Sequence, residues 1–212
     1  MFRALALFLA LASPALAEGP LLDPTQPAAP GAVSLYLQAR SLADLGARDR
    51  DPLLVLTAAR ILHGLALADT PRTPEPPSPP QPVTSPDATA LLDLARMIDA
   101  GQAYADLIDR LAREVPPSPR NLRATAATIA PGQSQTWTLG FFGGSPAELA
   151  VLAQGSTHLD TLVSAADETQ ICMEKGSADA ALCSFVLREN GDVTLTVTNP
   201  GSTAATYLVL TE

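Results

Sequence analysis

Residues 191–212 read GDVTLTVTNPGSTAATYLVLTE, and their spacing decides how the rest of the chain is understood. Val193, Leu195 and Val197 fall on one side and Thr194, Thr196 and Thr198 on the other, the period of two that a half-buried strand requires. Asn199-Pro200-Gly201-Ser202 supplies turn residues, and Thr206 to Leu210 resumes with β-formers, so the stretch predicts a closing hairpin. Working back from it, Glu189-Asn190-Gly191-Asp192 is a turn signal. Strands are predicted at Ser184–Arg188, Gln170–Met173, His158–Ser164, Glu148–Gln154 and Gln133–Leu139. About seven short strands with regular turns over residues 121–212 predict an antiparallel β-sandwich.

Upstream, the composition changes. Residues 1–17 have the layout of a secretory signal peptide: Arg3, an apolar run from Ala4 to Leu11, a break at Ser13-Pro14, and Ala15-Leu16-Ala17 before a cleavage point after Ala17. The apolar run is too short to span a bilayer. The chain carries a formal charge of −9. Loss of the signal peptide removes one Arg and no acid, so the mature chain is more acidic still. Such a chain is repelled by nucleic acid phosphates and anionic lipid surfaces, which excludes both as partners. Nothing later predicts a membrane span, because the longest apolar run, Leu53 to Ala68, is broken by Arg60, His63 and Gly64. These features predict a periplasmic or secreted protein.

Residues 18–31, with prolines at 20, 24, 27 and 30, predict a flexible leader. A helical unit is predicted over 32–115. Leu35, Ala39, Leu42 and Leu45 recur at helical spacing, with Gly46 as C-terminal cap. Asp51 can cap the next helix with Pro52 at its first position, and Leu54, Ala58, Ile61, Leu65 and Ala68 form its stripe. The short link predicts an antiparallel pair. Between residues 71 and 86 every second residue on average is proline, which predicts a semi-rigid spacer over 70–86. Pro77 to Pro80 also fits the PxxP spacing of a groove ligand. Ser85-Pro86-Asp87 opens a second block, with Leu91, Leu94, Ala95 and Ile98 on one face. Tyr104, Leu107, Ile108 and Leu111 continue it past Gly101, which either ends a helix or weakens a long one. Asp106–Arg110 and Asp109–Arg113 are candidate i,i+4 ion pairs. The overall expectation is a segregated α+β chain, helical hairpins followed by a sandwich.

Cys172 and Cys183 suit export to an oxidising compartment, and a disulfide between them is favoured over two buried thiols. Its small loop would contribute about 3 kcal/mol on the chain-entropy model. No catalytic constellation is legible. His63 and His158 fall in different parts, and neither comes with the neighbours that a triad or zinc site requires. Asp160, Asp167, Glu168 and Asp179 could gather round a calcium ion, although solvated loop acids are the simpler reading. Trp137 reads as sandwich core. Phe141 and Phe142 are adjacent and must point to opposite faces, so an exposed one beside Gly143-Gly144 is the candidate contact for a partner.

Pro131-Gly132-Gln133 followed by an alternating Thr/Trp strand resembles the opening of bacterial pre-peptidase C-terminal domains. Leu159-Asp160-Thr161-Leu162, the run from Gly191 to Asn199 and Tyr207-Leu208-Val209-Leu210 are similar to later strands of that family. The resemblance covers about residues 128–212. It implies a jelly-roll-type sandwich, usually non-catalytic, that aids secretion, folding or attachment of exported proteins, with calcium held by clustered acids in some members. Here position 158 is His, so the tandem acidic pattern is reduced, and no protease domain precedes the module. The upstream hairpins resemble tetratricopeptide units faintly, since the characteristic Trp and Tyr positions are absent. The functional expectation is an exported non-catalytic binding or accessory protein with an envelope protein or polysaccharide as partner. The alternatives are an exported hydrolase, an accessory subunit of one, or a calcium-stabilised module.

Overall fold

The computed structural model describes residues 30–212 apart from 80, 86, 116–117, 156 and 177–179. The signal segment, the leader up to residue 29, Asp179 and one end of the PxxP motif therefore lie outside the described residues, and Gly31 of the leader caps the first helix. Two helices, α1 (Ala32–Asp49) and α2 (Pro52–His63), pack antiparallel. Asp51 caps α2 as its sequence implied, accepting from the N–H groups of Leu53 (2.9 Å) and Leu54 (3.4 Å). The cap of α1 is Arg50, in a left-handed conformation, and not Gly46. Gly46 lies one turn earlier, where a Cβ would sit 2.9 Å from the Val55 backbone nitrogen. There α1 passes too close to α2 for a side chain. The buried face of α1 is Ala32, Val33, Tyr36, Ala39, Ala43 and Gly46, so the predicted leucine stripe is displaced to the half-buried flank.

Helix α2 stops at His63, and Leu65–Asp69 forms a strand, β1, rather than the last helical turn. Gly64 ends the helix, and the residues after it pair in parallel with the start of β2 (Arg120–Ile129). The second block divides into α3 (Ala88–Ile98) and α4 (Ala105–Arg113). The buried Asp99 makes that break: its carboxylate accepts from the N–H groups of Ala103 (3.0 Å) and Tyr104 (2.8 Å), satisfying donors at the start of α4. The ion pairs among the described residues of this block are Arg96–Asp93 and Arg96–Asp109, in place of the two expected on α4.

The remaining strands are β2 (Arg120–Ile129), β3 (Ser134–Phe141), β4 (Pro146–Ala153), β5 (Asp160–Ala165), β6 (Gln170–Glu174), β7 (Ala180–Val186), β8 (Gly191–Thr198) and β9 (Ala205–Thr211). They form two sheets, in the orders β1-β2-β9-β4-β7 and β3-β8-β5-β6. All pairings are antiparallel except β1 with β2. The closing hairpin does not exist: β8 and β9 belong to opposite sheets, and residues 199–204 cross between them. The reason is visible in side-chain chemistry. β8 is apolar on one side only and fits a sheet with one wet face. β9 is apolar on both, with Tyr207 and Val209 on one side and Leu208 and Leu210 on the other, so it must be covered on both.

That two-sided burial sets the layering. One core lies between the sheets, around Trp137, Leu149, Leu195, Val197 and Tyr207. The other lies between the helices and the outer face of the five-stranded sheet, where Leu122, Ala124, Ala150, Leu152, Leu208 and Leu210 meet Val33, Tyr36, Val55, Leu56 and Leu91. The molecule is thus α+β with a sandwich, and helices before and after the proline segment share one core with it. Two sheet carboxylates fasten the first helix. Glu148, 2% exposed, accepts from the N–H groups of Gly31 (2.9 Å) and Ser34 (2.7 Å), and Glu212 accepts from the N–H of Ala32. Negative charge at a helix N-terminus is favourable, and at Glu148 it is also buried and hydrogen-bonded, whereas Glu212 is exposed.

The proline segment does more than separate helices. Its Thr70 N–H bonds to Ala124 O (2.8 Å), its Glu75 pairs with Thr136 of β3 in both directions (2.8 Å each), and its Ser78 hydroxyl accepts from Thr128 N–H (2.9 Å). Gln81 returns to Ala126 of β2. The segment therefore leaves the edge of one sheet, touches the edge of the other, and comes back. Proline lacks the N–H that would extend a ladder, so these edges are closed to further strands. On the opposite side, Cys172 of β6 and Cys183 of β7 are joined by a disulfide, Cα atoms 5.9 Å apart, which links the two outer strands.

Candidate functional site

At the end of β3 the chain turns under tight constraint. Phe141 points inward and packs edge-to-face on Phe185, ring centroids 5.0 Å apart. Phe142 therefore points outward and is 78% exposed. Gly143 follows, with its N–H donating to Asn190 Oδ1 (2.9 Å), and a Cβ there would fall 2.2 Å from the Glu189 Cα. Only glycine permits the two loops to meet so closely. Gly144 N–H donates to Leu187 O (2.7 Å), and this residue has the positive φ of 69° that the turn demands. The Phe142 ring is thus mounted on backbone fixed at both sides. Around it lies a shallow depression of about 400 Å³ lined by Gly140, Phe141, Asn190, Gly191 and Asp192. An apolar ring flanked by an exposed carboxylate can stack on a flat apolar face while accepting hydrogen bonds from its hydroxyls.

The other expected residues are dispersed. Trp137 is buried, and its Nε1 donates to the Tyr207 hydroxyl (3.0 Å), which donates to Gln135 Oε1 (2.7 Å). Gln135 Nε2 donates in turn to Thr128 O and to Pro76 O of the proline segment. Burial pushes the Tyr207 phenol well above the usual tyrosine range. His158 is exposed before β5. Asp160 opens β5, whereas Asp167 and Glu168 stand in the turn beyond its other end, a distance of about 20 Å at the strand rise. The Asp167 carboxyl is held below its ordinary value by the N–H of Thr169, so it serves its own turn. Among the described residues no three His, Cys, Asp or Glu side chains are grouped as metal ligands.

Two features had no sequence signal. Arg72, in the proline segment, enters the end of the sandwich: Nε donates to Thr125 Oγ1 (2.7 Å), one Nη to Thr211 Oγ1 (3.1 Å) and the other to Val209 O (3.2 Å). Desolvation, then the nearby Arg123, lowers its pKa to about 10. The second is a cavity of about 210 Å³ between α2, α3 and the residues after α4, with His63, Glu114 and Ser118 in its walls. Among the described residues His63 Nε2 is buried there without a hydrogen-bond partner, and no hydrogen bond joins His63 to Ser118 or Glu114.

The fold and this geometry define an α+β protein with a helical layer on one face of a β-sandwich and a rigidly mounted aromatic at one end. No protein-family model matches the chain, and no curated protein matches it. Among solved structures it is similar to the pre-peptidase C-terminal domain of a collagenase from Bacillus anthracis, at 11% identity and TM-score 0.37, covering 42% of this chain and 87% of that one. It is also similar to PliG of Aeromonas hydrophila, a periplasmic inhibitor of g-type lysozyme (14% identity, TM-score 0.33, 43% and 84% covered). A further similarity is to a family 29 carbohydrate-binding module from Piromyces equi (16% identity, TM-score 0.26, 42% and 68% covered). No helix among the described residues is long and apolar enough to cross a membrane.

Proposed function

We propose that this chain is an exported, non-catalytic binding or accessory protein of the cell envelope, and that its sandwich engages a protein or polysaccharide through the Phe142 end. The observation that carries the reading is Phe142, an exposed ring followed directly by Gly143 and Gly144, whose N–H groups are both bonded to the facing loop: an aromatic already held in position offers contact area to a partner at little ordering cost. The jelly-roll class is read from the strand orders. Every link from β2 to β9 except β5–β6 passes to the other sheet, which supports that topology. Export is read from residues 1–17 and accords with the disulfide.

The test places a photo-crosslinking residue at position 142, with position 97 on α3 as an exposed control. A defined protein or glycan adduct at 142 that is missing at 97 is the expected result. Phe142→Ala should weaken capture by about tenfold or more while leaving the melting temperature unchanged. Equal labelling at both positions would overturn the reading.

A second reading, an exported hydrolase, is favoured by the cavity that places His63, Glu114 and Ser118 in common walls. It requires the Ser118 hydroxyl to reach His63 when substrate binds. Turnover in a broad hydrolase screen, lost in Ser118→Ala, would establish it in place of the first.

A further inference from the structure

The same helical cavity carries an independent inference. Its floor is apolar, made by Ala59 of α2, Leu92 of α3 and Leu111 of α4, all buried. Its polar wall is asymmetric. Arg60 and His63 stand one turn apart on α2, and Glu114 follows the end of α4; Arg60 and Glu114 are exposed and stand at the mouth. Arg60 and Glu114 have no ion-pair or hydrogen-bond partner through their side chains among the described residues. His63 Nε2 is buried and also lacks one. A buried nitrogen without a partner is destabilising, and a ligand group placed against it recovers that loss. The volume of about 210 Å³ exceeds the roughly 150 Å³ that accepts a benzene ring in an apolar engineered cavity.

These requirements describe one ligand class: a cationic donor for Glu114, an anionic acceptor for Arg60 and His63, and a compact apolar body for the floor. We infer that the cavity binds a free α-amino acid with an apolar side chain. Its carboxylate faces Arg60 and His63, its ammonium faces Glu114, and its side chain lies against Leu92 and Leu111. Charges of both signs at one small mouth favour a zwitterion over fatty acids and simple amines, each of which can meet only one of them.

Calorimetric titration of the purified chain with L-leucine should give saturable binding. Isocaproate, which lacks the amino group, and isoamylamine, which lacks the carboxylate, should each bind at least about tenfold more weakly. The chain has two histidines, so proton NMR adds a local readout. Leucine should move the His63 ring resonance, assigned by its loss in His63→Gln, and leave that of His158 in place. His63→Gln should also weaken leucine binding by about tenfold. Absence of saturable leucine binding, equal affinity for either analogue, or an unmoved His63 resonance at saturation would each overturn the inference. None of these measurements involves Phe142, so their failure leaves the proposed function standing.

Discussion

Arg72 enters the sandwich as a half-buried cation held by three neutral oxygens, with no carboxylate paired to it among the described residues. A guanidinium can reach three acceptors at fixed angles and an ammonium cannot. Arg72→Lys should therefore destabilise nearly as much as Arg72→Ala, by about 2–3 kcal/mol in urea denaturation, because hydrogen bonds to a charged group are strong and the acceptors stay buried. Tyr207 poses the converse case, a phenol kept neutral. Its folded pKa is raised above the ordinary 10.0, so its stabilising contribution is whole below pH 10 and is lost as pH rises beyond it, where the unfolded chain releases the proton first. Absorbance titrations of wild type and Tyr207→Phe should superimpose until the fold is lost. The substitution should cost about 1–3 kcal/mol, because Trp137 Nε1 and Gln135 lose their partner. At Gly46 the argument is steric. Gly46→Val should lower stability by about 1–3 kcal/mol, since the nearest obstacle includes the Val55 backbone, which cannot rotate away.

At the scale of elements, the two open sides of the sandwich are managed by different means. The proline segment covers the edges of β2 and β3, and the disulfide joins β6 to β7. Replacing both cysteines by alanine should reduce stability by about 2–4 kcal/mol by calorimetry or denaturant titration. The strands show how far periodicity reaches. β3, β4 and β8 lie within a few residues of their sequence assignments because each keeps a two-residue apolar period or a dense apolar run. β2 escaped notice because its buried positions are mostly alanine and threonine, and alanine gives no strand signal. β1 was hidden by continuity with the apolar stripe of α2. The partner of β9 was misassigned since a turn signal specifies reversal, not which sheet receives the next strand.

For the whole molecule, the helices and the sandwich are mutually dependent: without α1–α3, the outer faces of β2, β4 and β9 would expose Leu122, Leu152, Leu208 and Leu210 to water. The candidate site was partly legible. Adjacent aromatics must diverge on a strand, so one exposed phenylalanine followed from spacing alone, but that it is Phe142 depended on which face meets Phe185. The cavity at His63 was not legible, because its walls come from three helices and the residues after α4, spread along the chain from Ala59 to Ser118. The sequence by itself determined the local chemistry: periods of two and of 3.6, the Asp51-Pro52 helix start, the turn residues, and a cysteine pair suited to bridging. Tertiary structure alone decided which sheet each strand joined, that prolines would cover edges, and that Glu148 and Glu212 would hold a helix end more than a hundred residues away in sequence. Those outcomes depend on which buried surfaces and unpaired backbone groups meet in space, and no local pattern records such long-range satisfaction.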